Sequence, residues 1–262
     1  MPAFSEERLN VNGIDTAVLI AGEGFPLVFF HGAGTVTGFD ALLPLAESCR
    51  LIVPNHPGYG ASADDPSVDD IHDYVRHHLD VLDALEIEEL ALAGHSMGGY
   101  MAATFAVYEN SRVKRLVLAS PLGLRVPEHP TADIFTIPDE EFLGRLAADA
   151  SIFEGKIPMP PTPEFLAERY RESTSTARLF WNRNYDPKLS KWLHRLTMPT
   201  LILWGDGDQI IPVEQASHWA ELIPNSTTTI LPGVGHLLFD ESPAALEAVD
   251  AFVREGVDAL TT

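Results

Sequence analysis

Ser96 stands in Gly94-His95-Ser96-Met97-Gly98-Gly99, a G-x-S-x-G arrangement. An apolar run, Leu90 to Ala93, leads into it, and a helix-compatible stretch, Tyr100 to Val107, leads out. In such a strand-turn-helix setting the serine occupies a sharp, strained turn, and side chains larger than glycine at the flanking positions collide with the neighbouring strand and helix. The chemistry on offer is nucleophilic attack. A serine hydroxyl at neutral pH needs a base to take its proton, and the base needs a carboxylate to hold its tautomer. Ten histidines are available. His236 follows a strand-like run, Thr227 to Leu231, and the turn Pro232-Gly233-Val234-Gly235, a loop at a strand's carboxyl end. Two aspartates, Asp206 and Asp208, compete for the acid after the apolar run Leu201 to Trp204. A tetrahedral intermediate also needs two amide donors aimed at its oxyanion. The Met97 amide, next to the nucleophile at a helix N-terminus, is one.

The elements that must position these groups are legible as short apolar runs. Arg8 to Val11 and Thr16 to Ala21 read as strands around the turn signal Asn12-Gly13. Leu27 to Phe30, Leu51 to Val53, Leu90 to Ala93, Val113 to Ala119 and Leu201 to Trp204 lack alternation, as strands buried on both faces do. Residues 67–86 place Ile71, Tyr74, Leu79, Leu82 and Leu85 on one helical face, and residues 242–255 do the same with Leu246, Val249 and Phe252. Strand and helix in alternation predict an α/β fold with a mostly parallel sheet. The rhythm breaks between about Pro121 and Leu196, a proline-rich stretch with helical patches. It reads as an insertion lying over the sheet edge.

Five motifs in register make the chain resemble an α/β-hydrolase of the capped, esterase and carbon–carbon hydrolase branch. They are His31-Gly32-Ala33-Gly34, Asn55-His56-Pro57-Gly58-Tyr59-Gly60-Ala61-Ser62, the Ser96 turn, Gly205-Asp206-Gly207-Asp208-Gln209-Ile210-Ile211-Pro212, and Gly235-His236. The resemblance covers nearly the whole chain. It implies an eight-stranded, mostly parallel sheet flanked by helices, with residues 1–120 and 197–262 as the core and residues 121–196 as a small helical cap. It implies the order nucleophile, acid, base: Ser96, Asp208, His236. Asp208 fits the pattern of glycine, two residues, aspartate, an apolar pair and proline, which leaves Asp206 as a turn residue. Where some relatives place the acid one strand earlier, this chain reads Ala119-Ser120-Pro121-Leu122-Gly123, without a carboxylate. The second oxyanion donor is then the amide of Ala33, with Gly32 and Gly34 allowing close backbone approach.

The expected activity is hydrolysis of a carboxylic ester or related acyl compound through an acyl-enzyme, with no cofactor and no metal. The alternative is hydrolysis of a carbon–carbon bond in a vinylogous diketone by the same triad. Relatives of that kind tend to carry an Asn-His-Gly-x-Gly-Pro-Gly loop and a tryptophan after the histidine. This chain has Phe30-His31-Gly32-Ala33-Gly34-Thr35 and His236-Leu237 instead. A second alternative is a small-molecule receptor that keeps the fold without turnover. Ser96 argues against the dehalogenase and epoxide-hydrolase relatives, which use an aspartate nucleophile.

The remaining residues bound the partners. A net charge of -21 over 262 residues repels phosphate backbones and anionic membranes, so nucleic acid and membrane are not expected partners. A partly apolar small molecule is, and apolar residues between Phe135 and Trp181 are expected to line part of its pocket. The sequence sets no oligomeric state. The lone Cys49 excludes an intrachain disulfide and reads as a half-buried thiol; with no secretion signal and no apolar run of membrane length, a cytoplasmic location is expected. His72, His77 and His78 read as a solvated helix face, His95 as packing, and His31 as a structural loop histidine.

Overall fold

The computed structural model describes residues 2–260. Eight strands make one sheet: β1 (Ser5–Val11), β2 (Ile14–Ala21), β3 (Pro26–Phe30), β4 (Arg50–Pro54), β5 (Leu90–His95), β6 (Val113–Ala119), β7 (Thr200–Gly205) and β8 (Ser226–Leu231). Their order in space is β1-β2-β4-β3-β5-β6-β7-β8. β2 runs antiparallel to both β1 and β4, and the pairings from β4 through β3 to β8 are parallel. The α-helices are α1 (Ile71–Ala84), α2 (Met97–Tyr108), α3 (Asp139–Leu146), α4 (Pro163–Phe180), α5 (Gln215–Leu222), α6 (Leu238–Glu241) and α7 (Pro243–Leu260). The chain has the α/β-hydrolase architecture, a mostly parallel sheet with helices on both faces.

The pleat explains why the central strands carry no polar face. Along β3, β4 and β5, Leu27, Phe29, Leu51, Val53, Ala91 and Ala93 pack with the 3-10 turn Asp40–Glu47 and with α7. The alternate residues Val28, Phe30, Ile52, Leu90 and Leu92 pack against α1 and α2 on the other side. Both sets are removed from water, so each strand reads as a continuous apolar run. The strand ends therefore meet the loops on a rigid platform, and those loops carry the polar chemistry.

Helix α1 is shorter than its sequence pattern predicts. Asp70, in extended conformation, caps it by accepting the Asp73 amide at 2.9 Å, which leaves Ser67 and Asp69 in the preceding turn. The expectation of a solvated histidine face holds for His72, which is exposed, and is corrected for the other two. His77 and His78 are 2% and 0% exposed, and point into the core beside Tyr74 and Leu82. Cys49 is likewise fully buried, not half-buried, and its thiol donates to the Leu45 carbonyl at 3.0 Å.

The stretch between β6 and β7 holds α3, α4 and three 3-10 turns. Its two ends pack into the core cluster beside α1 and α2, through Leu122, Leu124 and Val126 on one side and Leu189, Leu193 and Leu196 on the other. The middle is different. Helix α4 buries Glu172, Ser175, Thr176 and Phe180, whereas Leu166 and Tyr170 on the same helix, and Trp181 just beyond its end, face solvent. Its polar face is turned inward.

Candidate active site

Ser96 sits between the last residue of β5 and the first of α2, with φ 57° and ψ -118°. That is a left-handed, strained backbone for a residue with a Cβ. The surroundings enforce it. The Ser96 amide donates to the Ala119 carbonyl at 2.9 Å, and the Ser96 carbonyl accepts from Gly99, Tyr100 and Leu122 at 3.0, 3.2 and 2.9 Å. A Cβ on Gly94 would collide with the Gly98 carbonyl, and one on Gly98 with the Phe30 carbonyl. The small residues of the motif are therefore a packing requirement of the turn.

His236 lies in the loop between β8 and α6 and is 4% exposed. Its Nε2 is 3.0 Å from Ser96 Oγ and its Nδ1 is 2.8 Å from Asp208 Oδ2. The neutral tautomer that donates from Nδ1 leaves Nε2 free to accept the serine proton. Asp208 follows β7, and its other oxygen accepts the Ile210 and Ile211 amides, each at 2.9 Å. Burial works against the Asp208 charge. The His236 ring and the two amides outweigh it, and the carboxyl is held below its ordinary pKa. Asp206 points elsewhere and accepts the Gly233 amide at 2.6 Å, which ties the turn after β7 to the turn after β8. The structure thus brings Ser96, His236 and Asp208 together in one hydrogen-bonded chain and leaves Asp206 outside it.

Ala33 and Met97 flank Ser96 in one cavity. Among the described residues, neither of their amides has a hydrogen-bond acceptor, so both are available to an oxyanion. A Cβ on Gly32 would stand 3.3 Å from His95 Nδ1 and 3.4 Å from Ser96 Cβ, a tight fit against side chains. At Gly34 the nearest atom to a Cβ is Glu172 Oε2 at 3.8 Å, an ordinary contact. The expected close approach is therefore tight at Gly32 and not enforced at Gly34.

Two cavities meet at Ser96. One, of about 150 Å³, runs between Phe29, Phe39, Leu42, Phe142, Leu146 and Phe239. The other, of about 320 Å³, is lined by Phe135, Phe180 and Trp181 together with the polar Asn182, Arg183 and Asn184. Of the apolar residues between Phe135 and Trp181, Phe135, Phe142, Leu146, Phe180 and Trp181 line these cavities, and Tyr170 lines neither.

Structural hydrogen bonds surround the site; they involve His31 and His95, which the sequence reads as a structural and a packing histidine, and also His56, His78 and Glu241. His95 Nε2 donates to the His236 carbonyl at 2.8 Å. His31 Nδ1 donates to the Gly32 carbonyl at 2.8 Å, while its Nε2 accepts the His56 amide at 3.2 Å. His56 Nε2 donates to the His31 carbonyl at 2.9 Å, and His56 Nδ1 lies 2.6 Å from His78 Nε2. Burial drives the pKa of His31 down to about 4, and those of His56 and His78 well below the usual imidazole value. This is a buried chain of neutral imidazoles ending at the loop that carries Ala33. Glu241 accepts the Gly235 amide at 3.1 Å and the Ala148 amide at 2.8 Å, linking the His236 loop to the stretch between β6 and β7. Among the described residues there is no group of three or more histidine, cysteine, aspartate or glutamate side chains that could hold a metal ion, and no helix long and apolar enough to cross a membrane.

Comparison with known proteins agrees with the architecture. A family model described as the alpha/beta hydrolase family matches residues 27–249. A 2-hydroxymuconate semialdehyde hydrolase of Pseudomonas sp. strain CF600 is 31% identical over 258 residues, covering 86% of this chain and 84% of that protein. A 2-hydroxy-6-oxo-6-(2'-aminophenyl)hexa-2,4-dienoic acid hydrolase of Metapseudomonas resinovorans is 28% identical over 262 residues, covering 92% of this chain and 88% of that protein. Among solved structures, a membrane phospholipase A described as a bacterial virulence factor matches with a TM-score of 0.81 at 21% identity, over 96% of this chain and 86% of that one. A serine hydrolase involved in carbazole degradation matches with a TM-score of 0.79 at 24% identity, over 97% of this chain and all of the other (100%). At those identities the structural likeness speaks to fold. The family match spans most of the chain, and this protein belongs to the alpha/beta hydrolase family.

Proposed function

We propose that this hydrolase cleaves a carboxylic ester or related acyl compound through an acyl-enzyme on Ser96. The observation that carries the reading is the continuous hydrogen-bonded line from Ser96 Oγ through His236 to Asp208, at 3.0 and 2.8 Å, beside two amides that have no acceptor among the described residues. Ser96 Oγ attacks the carbonyl carbon while its proton passes to His236 Nε2. The Ala33 and Met97 amides receive the oxyanion. The carbon–oxygen bond to the leaving group breaks as His236 returns the proton to the departing alcohol. Water then attacks the acyl carbon, gives its proton to His236, and the acid leaves with Ser96 restored. Asp208 keeps the imidazole in the working tautomer and stabilises its cation. Residues 1–120 and 197–262 serve as the core, and residues 121–196 as a cap whose Phe142 and Leu146 enclose the apolar cavity for part of the substrate.

A second reading is hydrolysis of a carbon–carbon bond in a vinylogous diketone. The names of the relatives at 28% and 31% identity favour it, since one is a hydrolase of a 2-hydroxy-6-oxo-dienoic acid and the other of 2-hydroxymuconate semialdehyde. Parallel turnover assays separate the two. Short- and medium-chain aryl esters are expected to be hydrolysed with kcat/KM at least about tenfold above any 2-hydroxy-6-oxo-dienoic acid. The reverse ranking selects the second reading, and turnover of neither class by folded protein removes both.

A further inference from the structure

The face that α4 turns inward is built from polar groups, and its centre is Glu172, 2% exposed. Glu172 Oε2 accepts the Thr35 amide at 3.1 Å and Arg169 Nη1 at 2.6 Å. Glu172 Oε1 accepts the Thr35 hydroxyl at 2.5 Å and the Gly60 amide at 3.0 Å. Four donors thus converge on one carboxylate, and two of them belong to Thr35, two residues beyond Ala33. One turn further along α4, Thr176 Oγ1 lies 2.9 Å from the Tyr59 hydroxyl, which is 3.7 Å from Met97 Sδ. The same helix face therefore meets the Ala33 loop directly at Thr35 and the Met97 side chain by way of Tyr59.

Apolar side chains would attach α4 to the core with less desolvation, since a buried carboxylate must recover its lost hydration from partners. What a carboxylate adds is direction: each oxygen fixes two donors in angle as well as distance. The loop needs that. From Gly32 to Gly34 its sole side chain is the methyl group of Ala33, and its near end is fixed by the His31 bonds to Gly32 and His56. Thr35 is the next residue able to hold the far end. Resting on the serine-hydrolase reading above, we propose that Glu172 is a positioning residue for the oxyanion hole, holding Thr35 so that the Ala33 amide faces Ser96.

The test is a time course of fluorophosphonate labelling, together with aryl-ester kinetics, for wild type, Glu172→Gln, Thr35→Val and the double variant. The expected result is a labelling rate about 10- to 100-fold lower in Glu172→Gln, with final labelling still one adduct per chain. KM should stay within about threefold, the acid limb of kcat/KM should not move, and Thr35→Val should fall in the same direction. The double variant should fall no further than Glu172→Gln, because the hydroxyl bond that Thr35→Val removes ends on Glu172. Unchanged labelling rates overturn the proposal. So does a loss of final stoichiometry at an unchanged rate, which marks a structural role. If Glu172→Gln does not fold, Thr35→Val carries the test alone. An unlabelled wild type overturns the serine reading itself, and is distinguished from the other failures by that control.

Discussion

His95 donates its Nε2 proton to the backbone carbonyl of His236 at 2.8 Å, so the residue before the proposed nucleophile braces the loop that carries the proposed base. Burial holds the His95 ring neutral, with its pKa down to about 3, and the donor is present across the working pH range. Replacing it with alanine should lower kcat/KM about tenfold with little change in fold, since the His236 loop loses a tether. A glutamine, which can donate from a similar place, should recover part of the loss. Steady-state kinetics of both variants check this, and equal activity of alanine and wild type counts against the tether.

The two aspartates of the β7 loop should separate cleanly. Asp208→Asn should reduce kcat by about 10⁴, because the imidazole loses the partner that fixes its tautomer. Asp206→Asn should leave kcat within about threefold, as its contact is to the Gly233 amide at 2.6 Å. A large loss from Asp206→Asn would reassign the acid.

The contrast between these aspartates shows what the sequence could and could not reveal. The proposed acid, Asp208, is marked by a local pattern of the family it resembles, with glycine, spacing and apolar pair all within eight residues. The Ser96 turn is legible for the same reason. The histidine chain is not local. His78 shares the apolar face of α1 with Ile71, Tyr74, Val75 and Leu82, so its spacing alone pointed inward. The many charged neighbours on that helix masked it. Nothing of the kind marks Glu172: α4 buries glutamate, serine and threonine, which reverses the hydrophobic periodicity on which such reading depends.

Acid should destabilise the protein through its buried imidazoles. His31 and His77 have pKa values lowered to about 4, and burial holds those of His56 and His78 well below the usual imidazole value. The unfolded chain, with histidines near 6.5, takes up protons first as pH falls. Stability is therefore full above about pH 6.5 and declines from there toward pH 4 and below. The lowered Asp208 carboxyl adds a further loss below about pH 4. Thermal unfolding should show Tm falling by about 10 °C between pH 7.5 and pH 4.5. His78→Gln, which keeps a donor to His56, should flatten that slope. A Tm independent of pH over this range contradicts the account.

Gly98→Ala tests the packing of the turn. Its Cβ would meet the Phe30 and His31 carbonyls, which are backbone and have no room to move. The expected cost is more than about 3 kcal/mol, read as a drop in the denaturant midpoint or as failure to express in soluble form. Gly144→Ala, where a Cβ meets nothing within 4 Å, is the control and should be neutral or slightly stabilising.

The central claim is that Ser96 is an activated nucleophile. Intact-mass analysis after treatment with a fluorophosphonate probe tests it most directly, on wild type and on Ser96→Ala. The account predicts one adduct on the wild type and none on the variant. No adduct on folded wild type, or an adduct that persists in Ser96→Ala, would contradict it.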